Sequence, residues 1–212
     1  MTLYVDSAIR SEVEPLLRTG LFAGIATNPT LLDRAGLSQD SHQQIYAWVT
    51  QLGIQRVFFQ ARGSSVAEMA RMGRSLRTLG DDVVVKLPAT SIGLAAASQL
   101  RDESIPTLIT AVYHSSQALL AVAAGAHFIA PYVGRMGDNG RDAIAEAAAM
   151  VDITAGSGCR VLAASLRSPD QVAELAAVGI HDFALSTSLS EVLMSDELTM
   201  VAAKEFEALG TS

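Results

Sequence analysis

A single cysteine, Cys159, stands in a chain of 212 residues, so no disulfide framework can staple it and the sequence fits a reducing compartment. Aromatic residues are scarce at 5%, which leaves a core to be built from Ala, Val, Leu and Ile. Positive charge is short as well. Fifteen basic residues against 22 acidic give a net charge of −7, and without a basic footprint nucleic acid is not expected as a partner. The most apolar stretch, 118–133, is broken by Gly125, His127 and Pro131 and falls short of the roughly 20 residues a membrane span needs. Residues 1–6 carry neither the basic start nor the apolar run of a secretory leader, so a cytoplasmic, membrane-free protein is expected.

Motifs for bound cofactors are missing too. His42, His114, His127 and His181 are dispersed, with no pair at zinc- or iron-binding spacing. No Gly-x-Gly-x-x-Gly follows a strand pattern, and there is neither a Walker-type loop nor a Gly-x-Ser-x-Gly elbow. The expectation is chemistry with no metal and no cofactor.

Half the residues are apolar and only 17% charged, enough for one large buried core. Short apolar or β-branched runs recur at 3–6, 24–27, 56–60, 83–87, 107–110, 127–132, 160–165 and 182–186. Val83-Val84-Val85 and Phe128-Ile129-Ala130 lack polar alternation, as parallel strands covered on both faces do. Helical patterns lie between them. Ser65 with Glu68, Ser168-Pro169-Asp170-Gln171, and Ser188 with Glu191 read as helix starts. A last helix over about 197–209 follows the eighth unit and carries Leu198, Val201, Ala202 and Phe206 at helical spacing, suited to its own barrel or a neighbour's. Eight strand–helix units without a linker predict one domain over 1–212, a (β/α)8 TIM barrel of α/β class, in preference to an open doubly wound sheet of fewer strands.

A barrel's active site lies at the C-terminal ends of its strands. Those ends carry Asp6, Thr27-Asn28, Gln60, Lys86, Thr110, Tyr132, Ser165 and Ser186. Lys86 is the sharpest signal, because the chain uses 13 arginines and only two lysines, Lys86 and Lys204. An ammonium buried beside Val83-Val84-Val85 must be paired or shed its proton, and a neutral amine attacks carbonyls. Arginine cannot substitute, since a guanidinium stays protonated. The competing expectation is an ion pair with a carboxylate such as Asp6. Tyr132 can pass a proton to a substrate oxygen or a water, or simply pack under a loop. Arg135, Ser165, Arg167 and Ser168 suggest an anion site near a helix start, against the alternative of solvated surface arginines.

These residues also carry a resemblance. Leu3-Tyr4-Val5-Asp6, Ala26-Thr27-Asn28-Pro29-Thr30, Val84-Val85-Lys86-Leu87-Pro88, Ile105-Pro106-Thr107-Leu108, Thr110-Ala111-Val112-Tyr113, Ala130-Pro131-Tyr132-Val133-Gly134-Arg135 and Leu162-Ala163-Ala164-Ser165 resemble the transaldolase family, most of all its small fructose-6-phosphate aldolase branch. The blocks stand in family order along nearly the whole chain. The resemblance implies a class I aldolase working through a Schiff base without a metal. It makes Lys86 the imine-forming lysine and Asp6 a carboxylate that contacts the donor. Asn28, with Thr27 beside it, would bind donor hydroxyls, while Arg135, Ser165 and Arg167 would take the acceptor and its phosphate.

Two positions separate the branches. Transaldolases carry glutamate at the end of strand three and phenylalanine in the Ala-Pro-Tyr block, where this chain has Gln60 and Tyr132. In the aldolase branch Gln60, Thr110 and Tyr132 together hold the catalytic water. Ala26 stands where the family has threonine, which bears on donor preference. The implied partners are a hydroxyketone and a sugar phosphate, and the implied assembly is a homo-oligomer, a pentamer or decamer. Transaldolase transfer, an imine-free phosphosugar isomerase and a barrel that only binds phosphorylated ligands are the competing expectations.

Overall fold

In the computed structural model, which describes residues 1–210, eight parallel strands close on themselves in chain order. They are β1 (Thr2–Asp6), β2 (Phe22–Ala26), β3 (Arg56–Gln60), β4 (Val83–Pro88), β5 (Thr107–Val112), β6 (Phe128–Pro131), β7 (Arg160–Ala163) and β8 (Asp182–Leu185). Each is followed by helix. In order these are α1 (Arg10–Arg18), α2 (Pro29–Arg34) with α3 (His42–Val49), α4 (Val66–Arg77), α5 (Ser91–Asp102), α6 (Ser116–Ala123), α7 (Val133–Asp138) with α8 (Ala143–Thr154), α9 (Pro169–Ala177), and α10 (Thr187–Met194) with α11 (Glu197–Gly210). The fold is the expected (β/α)8 barrel. No described helix is long and apolar enough to cross a membrane.

Alternation along the strands divides the core in two. Val5, Ile25, Val57, Phe59, Val85 and Ile109 face outward into the helical layer. Tyr4, Ala26, Phe58, Val84, Leu108, Phe128, Leu162 and Ala184 point inward. Aliphatic and alanine side chains fill most of this interior, and three of the few aromatics plug it. Tyr4 meets Phe58 edge-on at 4.9 Å, and Phe58 meets Phe128 at 5.4 Å. Continuing the inward alternation by two residues brings Asp6, Lys86 and Thr110 above that plug.

Irregular backbone shapes the mouth. On β5 the register shifts between Ile109 and Val112 against β6, an extra residue that leaves Ala111 at φ +57°. Nearer the base, Gly24 on β2 lies where a Cβ would stand 1.7 Å from the Arg56 carbonyl oxygen, so only glycine lets β2 and β3 approach this closely. Strands β6, β7 and β8 end one or two residues before the sequence pattern suggests. Past Pro131, Tyr132 keeps one bridge to Ala164 and then caps α7, so the tyrosine sits at a strand-to-helix corner.

Two of the three expected helix starts form. Ser65 accepts from the Glu68 backbone N–H at 3.3 Å, while the Glu68 carboxylate reaches back to Ser64 rather than to Ser65. Ser168 caps α9 from Gln171 N–H at 3.2 Å. The third is corrected: α10 is capped by Ser186, whose Oγ accepts from Leu189 N–H at 3.2 Å, and Ser188 lies inside the helix. The chain turns from β8 directly into the helix, leaving no loop in which Ser188 could serve.

Candidate active site

Lys86 points into the barrel from β4 and is 5% exposed. Its Nζ donates to the Thr27 main-chain carbonyl at 2.8 Å. Thr27 follows the end of β2 at Ala26, and its side chain is buried. A neutral carbonyl accepts from either protonation state of an amine, so it fixes direction without supplying charge. The alternative expectation, a Lys86–Asp6 ion pair, is not met: the amine is committed to Thr27, and no ion pair joins the two residues.

Asp6 is half-buried on the cavity wall at the end of β1. Burial pushes its carboxyl above the usual carboxylate range. The positive charge of Lys86 opposes this most, followed by Arg135 and Arg34. Thr110 enters from the β5 bulge and donates through Oγ1 to the Tyr132 hydroxyl at 3.1 Å. With Thr110 as donor, the phenol's own proton remains for the cavity. The Tyr132 ring is held by the edge of Tyr113 at 5.8 Å and by the Arg135 guanidinium at 5.0 Å. It is therefore fixed from two sides at the mouth, unlike a ring packed beneath a loop.

Asn28 is the N-cap of α2, its Oδ1 accepting from Leu31 N–H at 3.0 Å. The cap uses the oxygen and leaves the amide nitrogen for a ligand. Across the mouth, Gly134 opens α7 where a Cβ would lie 2.3 Å from the Ser165 carbonyl oxygen and 2.7 Å from Arg167 Nε. This close approach brings Arg135, Ser165 and Arg167 together. Ser165 itself has φ +60°, a left-handed backbone costing about 1–2 kcal/mol for a residue with a side chain. Arg167 also pairs with Asp138 at 2.8 Å, both well exposed.

Asp6, Asn28, Lys86, Thr110, Tyr132, Arg135, Ser165 and Arg167 thus line one cavity of about 340 Å³. Gln60 does not line it. It faces an adjoining recess with Arg62, Met69 and Pro88. Thr27 contributes its carbonyl to Lys86, not a side chain to the cavity. Ser186, expected as a strand end though given no role, also lines the cavity. Of the polar lining residues, Thr30 and Arg34 escape the sequence reading as site residues, and Arg34 offers no motif because its placement depends on the direction of α2. Among the described residues no group of three or more His, Cys, Asp or Glu is placed to share a metal ion.

The family model described as Transaldolase/Fructose-6-phosphate aldolase matches residues 3–210. The chain belongs to this family. A probable transaldolase of Anaeromyxobacter sp. (strain K) is 33% identical over 210 residues, covering 98% of this chain and 95% of that protein. A probable transaldolase of Nitrosopumilus maritimus (strain SCM1) is 31% identical, covering 97% and 93%. Among solved structures, a mandelate oxidase with (S)-2-phenylpropionate superposes with a TM-score of 0.59 at 19% identity, covering 88% of this chain. The chain spans 64% of that oxidase's length. This second likeness is one of barrel architecture alone, whereas the family match extends through every strand end that lines the cavity.

Proposed function

We propose that this member of the transaldolase/fructose-6-phosphate aldolase family is a class I aldolase. It would reversibly cleave fructose 6-phosphate to dihydroxyacetone and glyceraldehyde 3-phosphate, or join a related hydroxyketone and aldehyde. The observation that carries this reading is the pairing of a buried amine with a tyrosine in one cavity: Lys86 held by the Thr27 carbonyl, and Tyr132 held by Thr110.

In the cleavage direction neutral Lys86 adds to the C2 carbonyl, and loss of water gives an iminium. Breaking the C3–C4 bond sends its electron pair into the iminium to form an enamine, while the C4 hydroxyl gives up its proton and leaves as aldehyde. Asp6, whose carboxyl is already biased toward holding a proton by burial, is suited to take and return that proton. Tyr132 then protonates the enamine carbon, directly or through a water, and hydrolysis of the iminium restores the amine. Arg135, Ser165 and Arg167 would hold the phosphate of the aldehyde.

A second reading is favoured by the relatives' names. A transaldolase would make the same imine but pass the three-carbon unit to another aldose. Fructose 6-phosphate supplied alone separates the two: an aldolase liberates dihydroxyacetone, and a transaldolase requires an acceptor. Tyr132→Phe sharpens the distinction. Release of free dihydroxyacetone should fall about 100-fold, in the range of a lost general acid, while the borohydride-trapped adduct on Lys86 persists. Undiminished release would assign protonation to another group.

We also propose that α11 docks on another copy of the chain. Leu198, Phe206 and Leu209 are 79%, 70% and 76% exposed, an apolar load atypical of a lone solvent-facing helix. Light scattering of the full chain against one ending at 195 would test this; an unchanged mass would reject it.

A further inference from the structure

Arg34 is the charged side chain in the cavity wall that neither the fold nor the proposed chemistry uses. It closes α2, the short helix that begins at the Asn28 cap, and Asn28, Leu31 and Arg34 recur every three residues along the face lining the cavity. In an eight-stranded barrel closed in chain order, β2 lies opposite β6. The wall that carries Arg34 therefore lies across from Arg135, which follows β6, with Arg167 after the neighbouring β7. Arg34, Arg135 and Asp6 line the same cavity, and the positive charge of each arginine lowers the Asp6 pKa.

Arg34 differs from seven arginines of this chain that are engaged in ion pairs, of which Arg167 with Asp138 is the one at the cavity. Arg10, Arg18, Arg74, Arg77, Arg101 and Arg160 are each paired with a carboxylate. Arg34 has no ion pair and its guanidinium no hydrogen bond among the described residues, although Asp33 is its neighbour in sequence. Lys86, Arg34, Arg135 and Arg167 line the cavity against Asp6 as the sole acidic lining residue, in a chain of net charge −7. A local excess of cations inside an acidic protein concentrates anionic ligands at that place.

We infer that Arg34 is a specificity-determining residue that supplies a third guanidinium, from the wall opposite Arg135 and Arg167, to the phosphate of the aldehyde. Its reach from across the mouth favours phosphorylated over neutral aldehydes and caps the filled cavity. The name of the aldehyde rests on the aldolase reading; the preference for a phosphate does not.

The test compares wild type with Arg34→Gln and Arg34→Lys, all checked for unchanged circular dichroism. With dihydroxyacetone as donor, the ratio of kcat/KM for glyceraldehyde 3-phosphate over glyceraldehyde should fall about tenfold in Arg34→Gln, the loss of one partly solvated charged contact, and recover in part in Arg34→Lys. A purely structural role would move both aldehydes together and leave the ratio fixed, which would overturn the inference. Calorimetric titration with glycerol 3-phosphate gives a readout that needs no turnover. Its Kd should weaken about tenfold in Arg34→Gln; an unchanged Kd, or no binding to wild type, would also overturn it. If the wild type instead lacks borohydride-trappable imine while glycerol 3-phosphate still distinguishes the variants, the aldolase reading fails and the role of Arg34 stands.

Discussion

The two ends of the barrel hold the same ingredients in opposite states. At the base, Asp182 is 1% exposed and its Oδ1 accepts from Arg160 at 2.5 Å. Arg56 donates to the Tyr4 hydroxyl at 3.1 Å, and the Arg56 and Arg160 guanidiniums lie over the Phe128 ring at 5.1 and 5.5 Å. At the mouth, Asp6, Lys86, Arg34 and Arg135 surround a cavity without ion-pairing to one another. Burial raises both aspartates above the usual carboxylate range, and nearby cations pull both back. The difference is whether the charges satisfy each other or wait for something else. Charges that close on one another seal the barrel floor; charges left without a counter-ion, Lys86 held by a neutral carbonyl among them, are available to a ligand.

The sharpest way to break this comparison is to remove one group from each end. Lys86→Met roughly preserves volume without the amine. Turnover should fall at least about 1,000-fold, as expected when a nucleophile is lost. Stability should change by no more than about 2 kcal/mol, since only the Thr27 carbonyl loses its donor. Asp182→Ala should do the reverse. It strips Arg160 of its partner and costs about 2 kcal/mol, less than for a fully buried pair because Arg160 is half exposed, and kcat should hold within twofold. Urea denaturation and steady-state assays on both variants decide it. Equal losses of activity would mean the floor is part of the site.

The pH dependence of stability sharpens the same contrast. A folded-state pKa raised above the unfolded value means the folded protein holds a proton that the unfolded chain releases. That contribution is complete below the unfolded value and is lost as pH rises through the raised one. Asp6→Asn keeps the neutral form at every pH. The variant should gain stability relative to wild type as pH climbs from the ordinary carboxylate range toward neutrality, while turnover drops. Parallel melting curves across that interval check the sign. A gap that narrows with rising pH would show that Asp6 prefers its charged form, as in a tight pair with Lys86.

How far the sequence discloses this arrangement depends on what carries each part. The eight strands are legible because apolar runs without alternation have few other uses, and Lys86 is legible because it is a lysine in an arginine-using chain. Asn28 shows as a strand-end residue in the block Ala26-Thr27-Asn28-Pro29-Thr30. Arg34 does not, because nothing local reveals that α2 runs along the rim. Nor does the recess that Gln60 lines, since alternation along β3 suggests the main cavity. Thr27 reads as a ligand-binding side chain, whereas its contribution is a carbonyl oxygen, which every residue has. Ser188 shows why spacing misleads: the Ser-x-x-Glu pattern occurs inside α10, and the working cap lies two residues earlier.

The smallest effect separates strain that shapes a helix end from strain that shapes the site. Ser104 has φ +58° and follows α5 at the base, where Ser104 N–H donates to Arg101 and Ile105 N–H to Leu100, the paired bonds of a left-handed helix stop. Glycine suits that conformation. Ser104→Gly should add up to about 1 kcal/mol, the relief of about 1–2 kcal/mol less the entropy cost of glycine, with a melting rise of roughly 2–4 °C and no change in kcat. Ser165→Gly relieves a similar φ of +60° at the mouth and should gain comparable stability. There, however, the hydroxyl lines the cavity, so KM for a phosphorylated substrate should rise severalfold. Equal kinetics in the two variants would mean that the left-handed turn at Ser165 serves only to join β7 to α9, and that the mouth's phosphate wall is made by its arginines without it.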